Sequence, residues 1–95
     1  MEHEDIYQKA IEYFGIDNQK LKAIEEMAEL TNALIHLRDG RCEEQDVITE
    51  IADVTIMMQQ LAIFFGKEKV ENEILRKVYR LNHRIEDMAD GQINM

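Results

Sequence analysis

Val47-Ile48-Thr49-Glu50-Ile51-Ala52-Asp53-Val54-Thr55-Ile56-Met57-Met58-Gln59-Gln60-Leu61-Ala62-Ile63-Phe64-Phe65 is the stretch on which the fold turns. Val47, Ile51, Val54, Met58, Leu61 and Phe65 recur at three- and four-residue steps, the spacing of one helix face, and no period-2 alternation competes with it. Ile56, Met57, Ile63 and Phe64 fall off that stripe, so the helix is apolar on more than one side and needs cover on more than one side. A second subunit, or the first helix of the same chain, would supply it. Inside this apolar run stands Asp53, whose charge would be costly to bury without a partner.

Outward from this helix, the chain has no proline, and its four glycines fall at 15, 40, 66 and 91. Each stands where a helix would need a left-handed residue at its C-terminal end. The first block, about 3–14, puts Ile6, Ala10, Ile11 and Phe14 on one face. A second helix is expected to start near Asp17 or Asn18 as N-cap and to end near Asp39, with Leu21, Ile24, Ala28, Thr31, Leu34 and Ile35 as its apolar positions. After a tight Gly40-Arg41 link, Glu43 and Glu44 suit the positive end of the third helix, which runs to Phe65. A last helix, about 67–89, repeats the pattern with Val70, Ile74, Val78, Leu81, Ile85 and Met88. The chain therefore reads as all-α, a single four-helix domain over 1–95 whose second and third helices form an antiparallel hairpin.

With 95 residues there is room for one core, at a size where oligomerisation often supplements stability, so a dimer is expected. A net charge of −9 argues against nucleic-acid polymers and anionic membranes as partners. No unbroken apolar run reaches the roughly 18 residues of a membrane span, and the acidic N-terminus is unlike a signal peptide. A cytoplasmic protein is expected. Cys42 is the only cysteine, which leaves no internal disulfide and no Cys-rich zinc site, and it reads as a bystander.

The chemistry-bearing pattern is Glu26-x-x-Glu29 followed by Glu50-x-x-Asp53. Residues three apart share a helix face, so each pair aims two carboxylates at one point. Counted from the turn at 1.5 Å per residue, Glu29 stands at about 15 Å and Glu50 at about 10 Å, and the same count sets Glu26 opposite Asp53. Two pairs meeting at one level would make a cage of hard oxygen donors suited to Mg2+, with Mn2+ as a substitute. The competing reading makes Glu25, Glu26 and Glu29 a solvated face and pairs Asp53 with an Arg or Lys. A di-iron centre would need Glu-x-x-His on two helices, and Ala33 and Arg80 stand three residues before His36 and His83. His36, two turns beyond Glu29, reads as a rim residue. Met27, Met57 and Met58 read as packing residues, since thioethers are soft and the nearby donors hard.

The segments Ile24-Glu25-Glu26-Met27-Ala28-Glu29-Leu30 and Glu50-Ile51-Ala52-Asp53-Val54 resemble the E-x-x-E and E-x-x-D signature of the MazG-like all-α nucleoside triphosphate pyrophosphohydrolases. The likeness covers most of the chain, with its core at about 20–65. It implies a four-helix unit assembling as a dimer or a dimer of dimers, and Mg2+-dependent hydrolysis of an NTP or dNTP to the monophosphate and pyrophosphate. Glu26, Glu29, Glu50 and Asp53 take the family's metal-ligand positions, and Glu25 matches an acid that activates water in some members. Lys77, Arg80 and Arg84, on one face of the last helix, resemble basic positions that complete a phosphate site, and Lys22 is a further candidate. Surface pairing with Glu73, Glu86 or Asp87 is the competing reading for the first three. The chain departs from many relatives in lacking Trp and in having Ala28 where they have Gly. The related phosphoribosyl-ATP pyrophosphohydrolases share the carboxylate logic and form a more distant alternative. From another class, the rival is a non-catalytic helical dimer or interaction module whose acids only solubilise it.

Overall fold

The computed structural model describes residues 2–93, with side chains as far as Gly91. Its elements are α1 (Glu4–Phe14), α2 (Ile16–Arg38), α3 (Glu44–Phe65) and α4 (Lys67–Ile93), and no strand occurs among the described residues. The chain divides into two compact units, one up to Phe64 and one from Phe65 on. The first holds α1, α2 and all but the last residue of α3; the second is α4 with its entry.

A single residue, Gly15, separates α1 from α2. Its φ of +85° is open to glycine and strained for other residues, and a Cβ there would meet nothing within 4 Å, so the backbone alone requires glycine. This displaces the expected N-cap at Asp17 or Asn18. Gly15 already makes the break, its carbonyl accepts from the Gln19 N–H at 3.1 Å, and α2 begins one residue later. Asn18 Nδ2 instead donates to the Phe14 carbonyl at 2.7 Å, tying off the end of α1.

The α2–α3 link is set by local chemistry. Gly40 has φ +72°, the Arg41 N–H donates to His36 O at 2.7 Å and the Gly40 N–H to Leu37 O at 3.1 Å, which together make a Schellman cap. Across the link, Asp46 Oδ2 accepts from the Glu43 N–H at 2.9 Å, the returning half of a capping box. The Cys42 thiol donates to the Ala33 carbonyl at 3.4 Å, a contact between the link and α2. At the other end of the sequence, α4 runs through Gly91 to Ile93, past the expected stop near 89. Gly91 lacks the positive φ that a terminating glycine adopts; inside a helix it costs about 1 kcal/mol and is tolerated.

α1 packs on α2, and α2 on α3. The hairpin is antiparallel in one register: Gln19 Nε2 donates to Gln60 Oε1 at 2.8 Å, and ten residues further along α2 and ten back along α3, Glu29 meets Glu50. The inner face of α2 is Gln19, Ala23, Glu26, Leu30, Ala33 and Leu37; that of α3 centres on Val47, Glu50, Val54, Met57, Gln60 and Leu61. The apolar stripe expected to form the core of α2 faces away instead, with Leu21, Ile24, Leu34 and Ile35 all exposed, as are Ile51 and Met58 of α3. Ala23 and Ala33 are buried on the inner face, and small side chains there suit a close helix approach.

Gln19 and Gln60 are a buried polar pair in this interface. Gln60→Leu is expected to lower stability by about 1–3 kcal/mol, because the Gln19 amide then loses its partner away from water, whereas the double change to Leu removes both polar groups and restores most of the loss. Urea unfolding of the three proteins checks this; a double variant as unstable as the single one contradicts it.

By length and mean hydropathy α3 reaches the range of a membrane-crossing helix. Searching for an unbroken apolar run misses this, since Glu50 and Asp53 interrupt the run yet weigh little in an average. Carboxylates at mid-helix are expensive in hydrocarbon, whereas in the hairpin Glu50 faces the acids of α2.

Candidate metal centre

Glu26 and Glu29, one turn apart on α2, meet Glu50 of α3, and one carboxylate oxygen from each lies within 4.8 Å of the others. Glu26 lies on the same inner face as Ala23 and Ala33 and is 6% exposed; Glu50 is half-buried and Glu29 exposed. Lys22, one turn earlier, donates to Glu26 Oε1 from 3.0 Å. Glu26 Oε2 and Glu50 Oε2 are buried and have no hydrogen-bond partner. Buried acceptors without donors are rare in folded proteins, and here two of them face a third carboxylate. Ionised, the three groups offer one another only acceptors. A hard divalent cation satisfies such a donor set, and Mg2+, which keeps several waters, needs few protein ligands.

The electrostatics register the crowding. The Glu29 carboxyl is held above its ordinary value of 4.5, first by the charge of Glu26 and then by that of Glu50; a proton on Glu29 turns it into a donor toward both. A raised folded pKa means that the folded state binds this proton more tightly than the unfolded chain does. The stabilisation is full below 4.5 and is lost as the pH climbs through the raised value. Without metal, the urea midpoint of the wild type relative to Glu29→Gln is therefore expected to rise as the pH falls from neutrality toward 4.5, and saturating Mg2+ to cancel the trend. A difference that stays flat or shrinks toward acid contradicts this.

Asp53 is placed otherwise than the sequence suggests. It is half-buried, lies outside the three-acid group, and makes no ion pair or hydrogen bond among the described residues. Its neighbours Ile51 and Ala52 are exposed, so the apolar run around it turns partly outward. The buried carboxylate is Glu26. The readable trace of that was the spacing of Gln19, Ala23, Glu26, Leu30, Ala33 and Leu37, a second heptad-like row beside the apolar one.

Glu29 and Glu50 also line a cavity of about 380 Å³ with Asn32, Ala33, His36, Cys42 and Asp46, so His36 is on its rim as expected, and Asn32 and Asp46 are additions. The Cys42 thiol is pushed up by burial, then by Asp46 and Glu43, which disfavours the thiolate. Glu25 lies elsewhere, in a cavity of about 440 Å³ with Lys22, Phe14, Asn18, Gln19, Leu21 and Met57. On α4, Lys77, Arg80, Leu81 and Arg84 line a concavity of about 220 Å³. Lys77 stands 4.0 Å from Glu73, which also holds Arg76, while Arg80 and Arg84 have no ion pair among the described residues. Compared with known proteins, the chain matches no family, no curated sequence and no solved structure.

Proposed function

We propose that this chain is a Mg2+-dependent nucleotide pyrophosphohydrolase of the MazG-like kind, adding water across the α–β phosphoanhydride of an NTP or dNTP to release the monophosphate and pyrophosphate. The observation that carries this reading is the meeting of Glu26, Glu29 and Glu50 with two buried, unpartnered oxygens, in the order and spacing of the E-x-x-E and E-x-x-D pattern. These three acids would hold the ion; the resemblance adds Asp53, one turn beyond Glu50, which stands outside the three-acid group. Mg2+ there supplies the positive charge without which a triphosphate is repelled by an acidic surface, and it acidifies water for attack. The resemblance alone assigns Glu25 to take the proton of the attacking water, since Glu25 opens on the other cavity, with Lys22. Lys22 is assigned to the phosphate oxygens and the cavity beside Glu29 and Glu50 to the remainder of the nucleotide; Lys77, Arg80 and Arg84 are, within α4 taken by itself, a further row of cations suited to phosphate.

The exposed apolar residues of α2 and α3 support assembly as a homodimer or homotetramer. They equally favour a second reading, a helical assembly module without catalysis. Incubation with Mg2+ or Mn2+ and a panel of NTPs and dNTPs separates the two. Monophosphate with pyrophosphate is the expected outcome; release of single phosphates, or no turnover of any nucleotide, overturns the enzyme.

A further inference from the structure

We infer that Lys22 is a built-in counter-cation, seated on Glu26 in the metal-free protein and displaced when a divalent ion binds. The inference rests on the metal reading above. Glu26 is the acid that can least well stand alone: its side chain is 8% exposed, and Oε2 already lacks a partner. Lys22 meets the other oxygen at 3.0 Å, yet its own side chain is 53% exposed, so the ammonium reaches in from solvent on a flexible stem. The pair spans one helical turn and needs no other element to form. With Lys22 in place one oxygen of the buried Glu26 carboxylate is answered as the hairpin folds; with a divalent ion among the three acids, the ammonium and the ion stand against the same Glu26 carboxylate and repel each other. The lysine has an open path back to solvent. Lys22 and the metal are therefore alternative partners of Glu26, and the displaced ammonium remains one turn away as a cation for an anionic ligand.

The exchange is read without any activity, by melting Lys22→Gln and wild type at equal concentration with and without saturating Mn2+, and by calorimetric Mn2+ titration of both. Without metal the variant is expected to melt about 5 °C lower. With Mn2+ the gap closes, and the variant binds Mn2+ about tenfold more tightly. Lys22→Arg keeps the charge and is expected to bind like the wild type. A measurement needing no variant is acetylation of the wild type followed by mass spectrometry, in which Lys22 gains reactivity several-fold on adding Mn2+. If the wild type binds Mn2+ but the melting gap persists, affinity is unchanged or Lys22 reactivity stays constant, the exchange is wrong and the metal site stands. If neither protein binds Mn2+, both fall.

Discussion

Glu50→Gln is expected to abolish pyrophosphate release from nucleoside triphosphates, a fall of at least about a thousandfold in kcat/KM, without lowering the stability of the metal-free protein. Glu50 is the one member of the three-acid group that α3 supplies, and its Oε2 is buried without a partner. The amide keeps the shape and loses the charge that a hard cation requires. In the absence of metal the same change relieves repulsion against Glu29, whose carboxyl Glu26 and Glu50 hold above its ordinary range, so the variant should melt no lower than the wild type. Lost activity with retained or increased stability distinguishes a missing ligand from a damaged fold. Asp53→Asn is expected to lose activity likewise with its helices intact by circular dichroism. A fully active Glu50→Gln would remove the cage altogether.

Replacing both Ile24 and Ile35 by Lys is expected to turn an oligomer into a monomer. Ile24 is 57% exposed and Ile35 41%, on the α2 stripe that the hairpin leaves uncovered. A charge on each opposes burial of that stripe against a second copy, and an interface centred there would lose several kcal/mol. Light scattering behind size exclusion should show the wild type as a dimer or tetramer and the variant at the mass of one chain. Neither position belongs to the acid group, so Mn2+ binding to an isolated chain should survive. A variant that still assembles places the interface elsewhere, and a wild type that is monomeric at high concentration removes it.

Much of the molecule was legible in advance, and for definable reasons. Helix ends at Gly15 and Gly40 follow from backbone conformations that other residues reach only under strain. The levelling of Glu29 with Glu50 follows from a constant rise per residue and a short link. What misled was burial. Asp53 looked trapped because its sequence neighbours are apolar, but neighbours in a helix point in different directions, and Ile51 is 49% exposed. Glu26, read as a ligand with a solvated face as the competing reading, lies in line with Ala23 and Ala33 and is buried, which its acidic neighbours Glu25 and Glu29 conceal.

The sequence by itself determined four helices, their breaks, and a register that levels acids of the second helix with acids of the third, since all of these depend on local geometry. Only the tertiary structure decided which side of each helix is inside. α2 carries two rows at nearly the same period, and the choice between them depends on how closely a second helix can approach, which no single helix records. That choice buried Glu26, left Lys22 to answer its charge, and turned the most apolar row outward.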